Sequence, residues 1–104
     1  MADAPGRPGP VSDERMSARI TGRVQGVGYR WWVRRQAEAL EITGWVMNAD
    51  SERAVECVAE GTPESLDELE RRLWIGPDGA RVEEVSTRRG PASGEFDRFG
   101  IVRG

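Results

Sequence analysis

The chain predicts an α+β domain in which two helices cover one face of an antiparallel sheet of four to five strands. Three observations point there. Apolar residues recur at the two-residue spacing of half-buried strands in several short runs, and at helical spacing in two longer ones. The runs follow the order strand, helix, strand, strand, helix, strand, with a last strand near the C-terminus. A strand–helix–strand crossover made twice, with a hairpin between, is the split βαβ plan.

Residues 1–15 are expected to be a disordered tail, because Ala4-Pro5-Gly6-Arg7-Pro8-Gly9-Pro10 can build neither helix nor ladder and has little to bury. The domain is expected over 16–104. Its first strand, Arg19-Ile20-Thr21-Gly22-Arg23-Val24, alternates polar and apolar side chains; the helix after it, over 29–40, aligns Val33, Ala37 and Leu40 on one face. That helix ends near Leu40-Glu41. Ile42-Thr43-Gly44-Trp45-Val46-Met47-Asn48 and residues 54–60 read as a hairpin, Val55, Cys57 and Ala59 alternating with Glu56, Val58 and Glu60. Cys57 falls on the apolar side, as a small buried hydrophobe rather than a reactive thiol.

Thr62-Pro63-Glu64 combines an N-cap, a proline at the first helical position and an acid in the first turn. Leu66, Leu69 and Leu73 form the buried stripe of this second helix, and Gly76-Pro77 ends it. Two more strands are expected at Arg81-Val82-Glu83-Glu84-Val85-Ser86-Thr87 and at 96–103, separated by the segment around Arg89-Gly90-Pro91-Ala92. Trp31, Trp32, Trp45 and Trp74 are expected in core or rim packing. The assembled plan is a ferredoxin-like split βαβ sandwich, which by itself decides no function.

Composition narrows the chemistry. With 104 residues, 38% of them hydrophobic and 32% charged, the chain closes one small core. The formal net charge of -3 gives no bulk attraction to nucleic acid or to an acidic membrane. With no histidine and the single cysteine Cys57, a structural zinc site, a disulfide framework and a histidine-based catalytic triad are all excluded within one chain. No cofactor or metal is expected. No apolar run approaches membrane-spanning length and no hydrophobic signal core is seen, so the expected compartment is the cytoplasm.

The unusual choices concentrate between the first strand and the first helix, in Gln25-Gly26-Val27-Gly28-Tyr29-Arg30. Two glycines one residue apart let the backbone turn sharply. The helix start that follows offers N–H groups which no intrahelical carbonyl accepts, and these favour an anion. Arg30 adds a planar guanidinium able to fork onto two oxygens of a phosphate or carboxylate. A dinucleotide-binding turn does not fit, because Trp31 stands where a third small residue is required. A Walker loop does not fit either, since the chain contains no lysine. On loop physics alone, a glycine-containing turn beside a surface arginine is a competing reading.

The ordered pattern Gly22-x-Val24-Gln25-Gly26-Val27-x-Tyr29-Arg30 resembles the first signature of the acylphosphatase family at every fixed position. Gly44-Trp45-Val46-x-Asn48 is similar to the second, an aromatic residue, a valine and an asparagine after glycine. The likeness continues through Ala59-Glu60-Gly61, Gly76-Pro77-x-x-Ala80-x-Val82 and Phe96-x-x-Phe99-x-Ile101-x-Arg103, covering about residues 18–103. Two departures stand out: Glu41, where the family usually has a glycine, so that a left-handed helix end there would carry a strain of roughly 1 kcal/mol or be reshaped, and Glu52, which stands where the family usually has a hairpin glycine, in a stretch 48–61 one residue longer than usual.

The resemblance implies hydrolysis of the carboxyl–phosphate anhydride of acyl phosphates to a carboxylate and inorganic phosphate. It assigns the phosphoryl oxygens to the backbone amides of Gln25, Gly26, Val27, Gly28, Tyr29 and Arg30 and to the Arg30 guanidinium, and the attacking water to the Asn48 side-chain amide. Arg30 and Asn48 are thus the expected catalytic residues. The implied partner is a small acyl phosphate, with inorganic phosphate as product and competing ligand; no nucleic acid or membrane is involved, and the protein is expected to be a monomer. Two alternatives stand beside this. One is a ferredoxin-like RNA-binding module using Arg19, Arg23, Arg34 and Arg35 with the tryptophans, against which the acidic balance and the missing RNP-like motif count. The other is a non-catalytic binder of phosphate-containing ligands.

Overall fold

In the computed structural model, which describes residues 13–49, 51 and 53–103, the alternation of the first strand becomes a two-sided surface. β1 (Glu14–Arg23) buries Met16, Ala18 and Ile20 on one side. It is followed by α1 (Tyr29–Ala39), β2 (Thr43–Asn48), β3 (Ala54–Gly61), α2 (Pro63–Ile75), β4 (Arg81–Pro91) and β5 (Phe99–Val102). The strands join in one sheet ordered β4-β1-β3-β2-β5. The β1–β3, β1–β4 and β2–β3 ladders are antiparallel, as expected, whereas β5 runs parallel to β2. The cause is the route of the chain. β4 ends beside the start of β1, and the segment 92–98 crosses that end of the sheet to the far edge, so β5 starts level with the beginning of β2 and runs the same way.

The helices pack on one face. Met16, Ala18 and Ile20 of β1, Val46 of β2, Val55, Cys57 and Ala59 of β3, and Phe99 of β5 lie beneath Val33 and Ala37 of α1 and Leu66, Leu69 and Leu73 of α2. Burying each of the three leucines contributes about 1.5–3 kcal/mol relative to leaving it exposed. Thr62 caps α2, its Oγ1 accepting from the Ser65 amide at 3.1 Å, and Gly76 closes the helix. Cys57 sits in the core, and burial pushes its thiol pKa up to about 12, which keeps it neutral and inert.

α1 ends as its sequence requires, and under strain. The Glu41 amide donates to the Glu38 carbonyl at 3.1 Å and the Ile42 amide to the Ala37 carbonyl at 2.8 Å, the paired bonds of a Schellman turn. The residue in the left-handed position is Glu41, at φ 59°. A side chain there crowds the following carbonyl. Glu41→Gly is therefore expected to stabilise the fold by roughly 1 kcal/mol, raising the melting temperature by about 4–8 °C for a domain of this size. A thermal melt with an unchanged or lowered midpoint would contradict this.

Three boundaries differ from the sequence expectation. Of the segment expected to be a tail, residues 1–12 lie outside the described residues, but Glu14 and Arg15 belong to β1, paired with Gly61 and Glu60 on one side and with Pro91 and Gly90 on the other. β4 correspondingly continues through Gly90 and Pro91, which had read as the start of a break. Proline fits because β4 is an edge strand, where a missing N–H leaves no ladder bond unmade. β5 is shorter than expected, four residues beginning at Phe99. The tryptophans divide: Trp32 packs against the core, while Trp31 and Trp74 are 55% and 48% exposed.

Glu60 holds this end of the sheet together. Its carboxylate, only 4% exposed, accepts from Arg15 Nε at 2.8 Å, from the Ser93 amide at 2.8 Å and hydroxyl at 2.9 Å, and from the Gly94 amide at 3.0 Å. Burial alone would raise its pKa. The Ser93 and Gly94 amides, the Arg15 guanidinium and the Ser93 hydroxyl outweigh burial and bring it down to about 2. Because the folded value lies below the unfolded one, near 4.5, Glu60 stabilises the fold fully above that pH, and the contribution is lost as pH falls toward 2. The stability difference between the parent and Glu60→Gln should therefore shrink between pH 5 and pH 2 in denaturant titrations; a difference independent of pH would contradict the assignment.

Candidate active site

The end of the sheet opposite Glu60 gathers the signature residues. β1 leaves the sheet there, since Thr21 pairs with Ala54 at the start of β3, while Asn48 at the end of β2 pairs with Val55. The loop between β1 and α1 and the hairpin between β2 and β3 therefore stand side by side. The end of β1 that leads into the loop is bonded to the hairpin, the Gly22 amide donating to the Arg53 carbonyl at 2.9 Å.

Within the loop, Gly26 and Gly28 adopt φ 76° and 77°, and a Cβ placed on either would meet no atom within 4 Å. Left-handed glycines beside open space make the backbone concave, with amides available to an anion. The amides of Gly26, Val27 and Gly28 have no acceptor among the described residues. Gly28 is also the N-cap of α1, which no side chain caps and whose first turn holds no acidic residue, so no internal carboxylate competes for the positive end of the helix. Val27 packs against the core and fixes the middle of the loop.

Arg30, the second residue of α1, is partly buried. It has no carboxylate partner among the described residues. Arg23, Arg35, Arg81, Arg88, Arg98 and Arg103 share that property; what distinguishes Arg30 is its place in the first turn of α1, directly after the loop. Tyr29 contributes to the site only through its backbone. Its side chain is buried, its hydroxyl donates to the Leu73 carbonyl at 2.7 Å, and burial raises its pKa, so it ties α1 to the end of α2 as a neutral phenol. The Gln25 side chain likewise turns away from the loop, toward the hairpin. No local sequence signal announces either contact.

Asn48 shares its face of β2 with buried Val46 and is paired with buried Val55, which directs its side chain to the side covered by α1. Asn48 Oδ1 is buried without a hydrogen-bond partner among the described residues. A buried acceptor with no donor costs about 1–3 kcal/mol, so Asn48 carries a polar atom that the described residues leave unsatisfied. Glu52, which stands where the family usually has a hairpin glycine, lies outside the described residues.

The residues of the RNA-binding alternative do not form one surface. Arg19 lies on the uncovered face of the sheet, ion-paired with Glu56 at 2.7 Å, and Arg34 lies on α1 over the opposite face, paired with Glu38 at 3.2 Å. A trough of about 420 Å³ on the uncovered face, bordered by Arg19, Trp45, Glu56, Val58 and Arg88, includes neither the Gln25–Arg30 loop nor Asn48. Among the described residues there is no grouping of three or more His, Cys, Asp or Glu placed to hold a metal ion, and no helix long and apolar enough to cross a membrane.

Comparison with known proteins agrees with the signatures. The family model described as acylphosphatase matches residues 16–101. A curated relative from Salinibacter ruber named acylphosphatase is 45% identical over 92 residues, covering 88% of this chain and 96% of the relative. Two solved structures are similar in fold: an acylphosphatase from Bacillus subtilis, with TM-score 0.81 and 31% identity over 86% of this chain and 98% of that one, and one from Coxiella burnetii, with TM-score 0.82 and 35% identity over 88% and 95%.

Proposed function

The chain belongs to the acylphosphatase family, hydrolases of acyl phosphates, and from that membership we propose that its reaction runs by direct attack on phosphorus of a water held by Asn48. The observation that carries this reading is the juxtaposition, at one end of the sheet, of the Gly26–Gly28 turn, whose amides have no acceptor among the described residues, and Asn48, whose buried Oδ1 has no donor among them.

The phosphoryl oxygens lie in the concave loop, held by the amides of residues 25–30 and forked by Arg30. Asn48 Oδ1 accepts a hydrogen from the water and turns a lone pair of the water oxygen toward phosphorus. The new P–O bond forms as the bond from phosphorus to the acyl oxygen breaks, and that oxygen leaves with its electron pair as carboxylate. The water's proton passes to a phosphoryl oxygen, giving inorganic phosphate. Because a carboxylate leaves readily, no strong general acid is required. Positioning and electrostatic stabilisation of the transferring group supply most of the rate. The absence of histidine is then no obstacle.

The proposal extends to turnover without a metal, by a monomer, in the cytoplasm. Arg30 and the loop amides supply the positive charge facing the phosphate, and one chain contributes every group named. The single cysteine, buried and unpaired, agrees with a reducing compartment. The test is phosphate release from an aryl acyl phosphate with a chelator present, beside a titration with single-stranded RNA. Turnover without RNA binding is expected; salt-sensitive RNA binding without turnover would contradict the assignment.

A further inference from the structure

We infer that the Gln25 side chain is a positioning element of this site, fixing the phosphate loop against the hairpin that carries Asn48. This deepens the reading above and rests on it. Nε2 of Gln25 donates across the gap to two carbonyls of the hairpin, Ala54 at 2.8 Å and Ser51 at 2.7 Å. The Ala54 carbonyl also accepts the Ala49 amide at 3.0 Å, the bond that closes the hairpin at the residue after Asn48. Gln25 therefore grips the backbone group whose position sets where β2 ends.

A side-chain amide has two hydrogens at a fixed angle on one planar nitrogen. With both engaged, a shift of the hairpin relative to the loop stretches one bond or bends the other. The Gly22–Arg53 backbone bond ties the end of β1 to the same hairpin, so Gln25, three residues on, supplies the second point that prevents pivoting about the first. The loop holds the phosphorus and Asn48 holds the water, and a misplacement of about 1 Å between reacting groups costs on the order of 100-fold in rate. Gln25 touches neither group through its side chain; it acts on the line between them.

The test compares Gln25→Met, which keeps length but has no donor, with Gln25→Glu, which keeps shape but at neutral pH offers only acceptors to two carbonyl oxygens. For each, kcat and KM on an aryl acyl phosphate, the affinity for inorganic phosphate and the melting temperature are measured. Gln25→Met should lose roughly tenfold or more in kcat while phosphate affinity stays near the parent's. Gln25→Glu should be poorer still at neutral pH. Its kcat relative to the parent should recover on acidification, as the carboxyl gains an O–H that can donate to one carbonyl. Parental kcat in Gln25→Met, in a parent that turns over, overturns the inference and leaves the site assignment standing; an inactive parent overturns the site assignment itself. Equal losses of phosphate affinity and kcat would place Gln25 in the phosphate grip, and unfolding of both variants would make the link a requirement of the fold. Either outcome overturns the positioning role, as does a pH-independent ratio of Gln25→Glu to parent.

Discussion

In Asn48→Ala the turnover number is expected to fall by roughly 100-fold or more, the scale for losing one positioned catalytic hydrogen-bonding group, while inorganic phosphate binds nearly as before. The separation follows from geometry. Asn48 stands at the end of β2, outside the loop proposed to hold the anion, so on the proposed reading its loss removes a contact to the water and none to the phosphate. Asn48→Asp should fail differently. It keeps an acceptor at about the same place but sets a carboxylate beside a phosphate, so repulsion lowers ligand affinity as well as turnover. Isothermal titration with phosphate, beside steady-state kinetics, distinguishes the two. Near-parental turnover in a folded Asn48→Ala would make Asn48 a structural strand-end residue.

Arg30→Ala is expected to lose both, since on the proposed reading its guanidinium grips oxygens present before and during transfer. Inorganic phosphate should compete with substrate in the parent, and its affinity and kcat/KM should fall together in the variant. Loss of a charge-assisted, forked contact corresponds to about 1.5–3 kcal/mol, or roughly 10- to 100-fold. Arg30→Lys should recover little, because a point charge does not reproduce the planar fork. Parental phosphate affinity in Arg30→Ala, measured by calorimetry, would show the anion to be held elsewhere.

Much of the fold was legible because its signals are local. Thr62, Pro63 and Gly76 mark the ends of α2, and Leu66, Leu69 and Leu73 its buried face; the structure uses each as read. The left-handed end of α1 at Glu41 was one of two outcomes open from the resemblance, in which a glycine usually stands there, and the structure adopts it. What escaped depends on contacts distant in sequence. Glu60 reads as a solvent-side residue of an alternating strand, and only the return of Ser93 and Gly94 over it makes it buried. The same return carries β5 to the far edge and makes its pairing with β2 parallel. Gly90 and Pro91 carry turn chemistry, yet an edge position lets them extend β4. At the candidate site, glycine spacing marked a sharp turn before a helix start, and the resemblance singled out the loop, Arg30 and Asn48. The embrace of the hairpin by Gln25 and the anchoring of Tyr29 on Leu73 could not be read, because each joins a side chain to a backbone carbonyl that any residue would supply.

The most direct measurement is the fate of oxygen when the protein hydrolyses an aryl acyl phosphate in 18O-labelled water. Attack of the Asn48-held water on phosphorus breaks the bond between phosphorus and the acyl oxygen, so the label must appear in inorganic phosphate and the carboxylate must remain unlabelled. Label in the carboxylate would mean that water attacks the carbonyl carbon, and the loop would then be holding a leaving group rather than the centre of reaction.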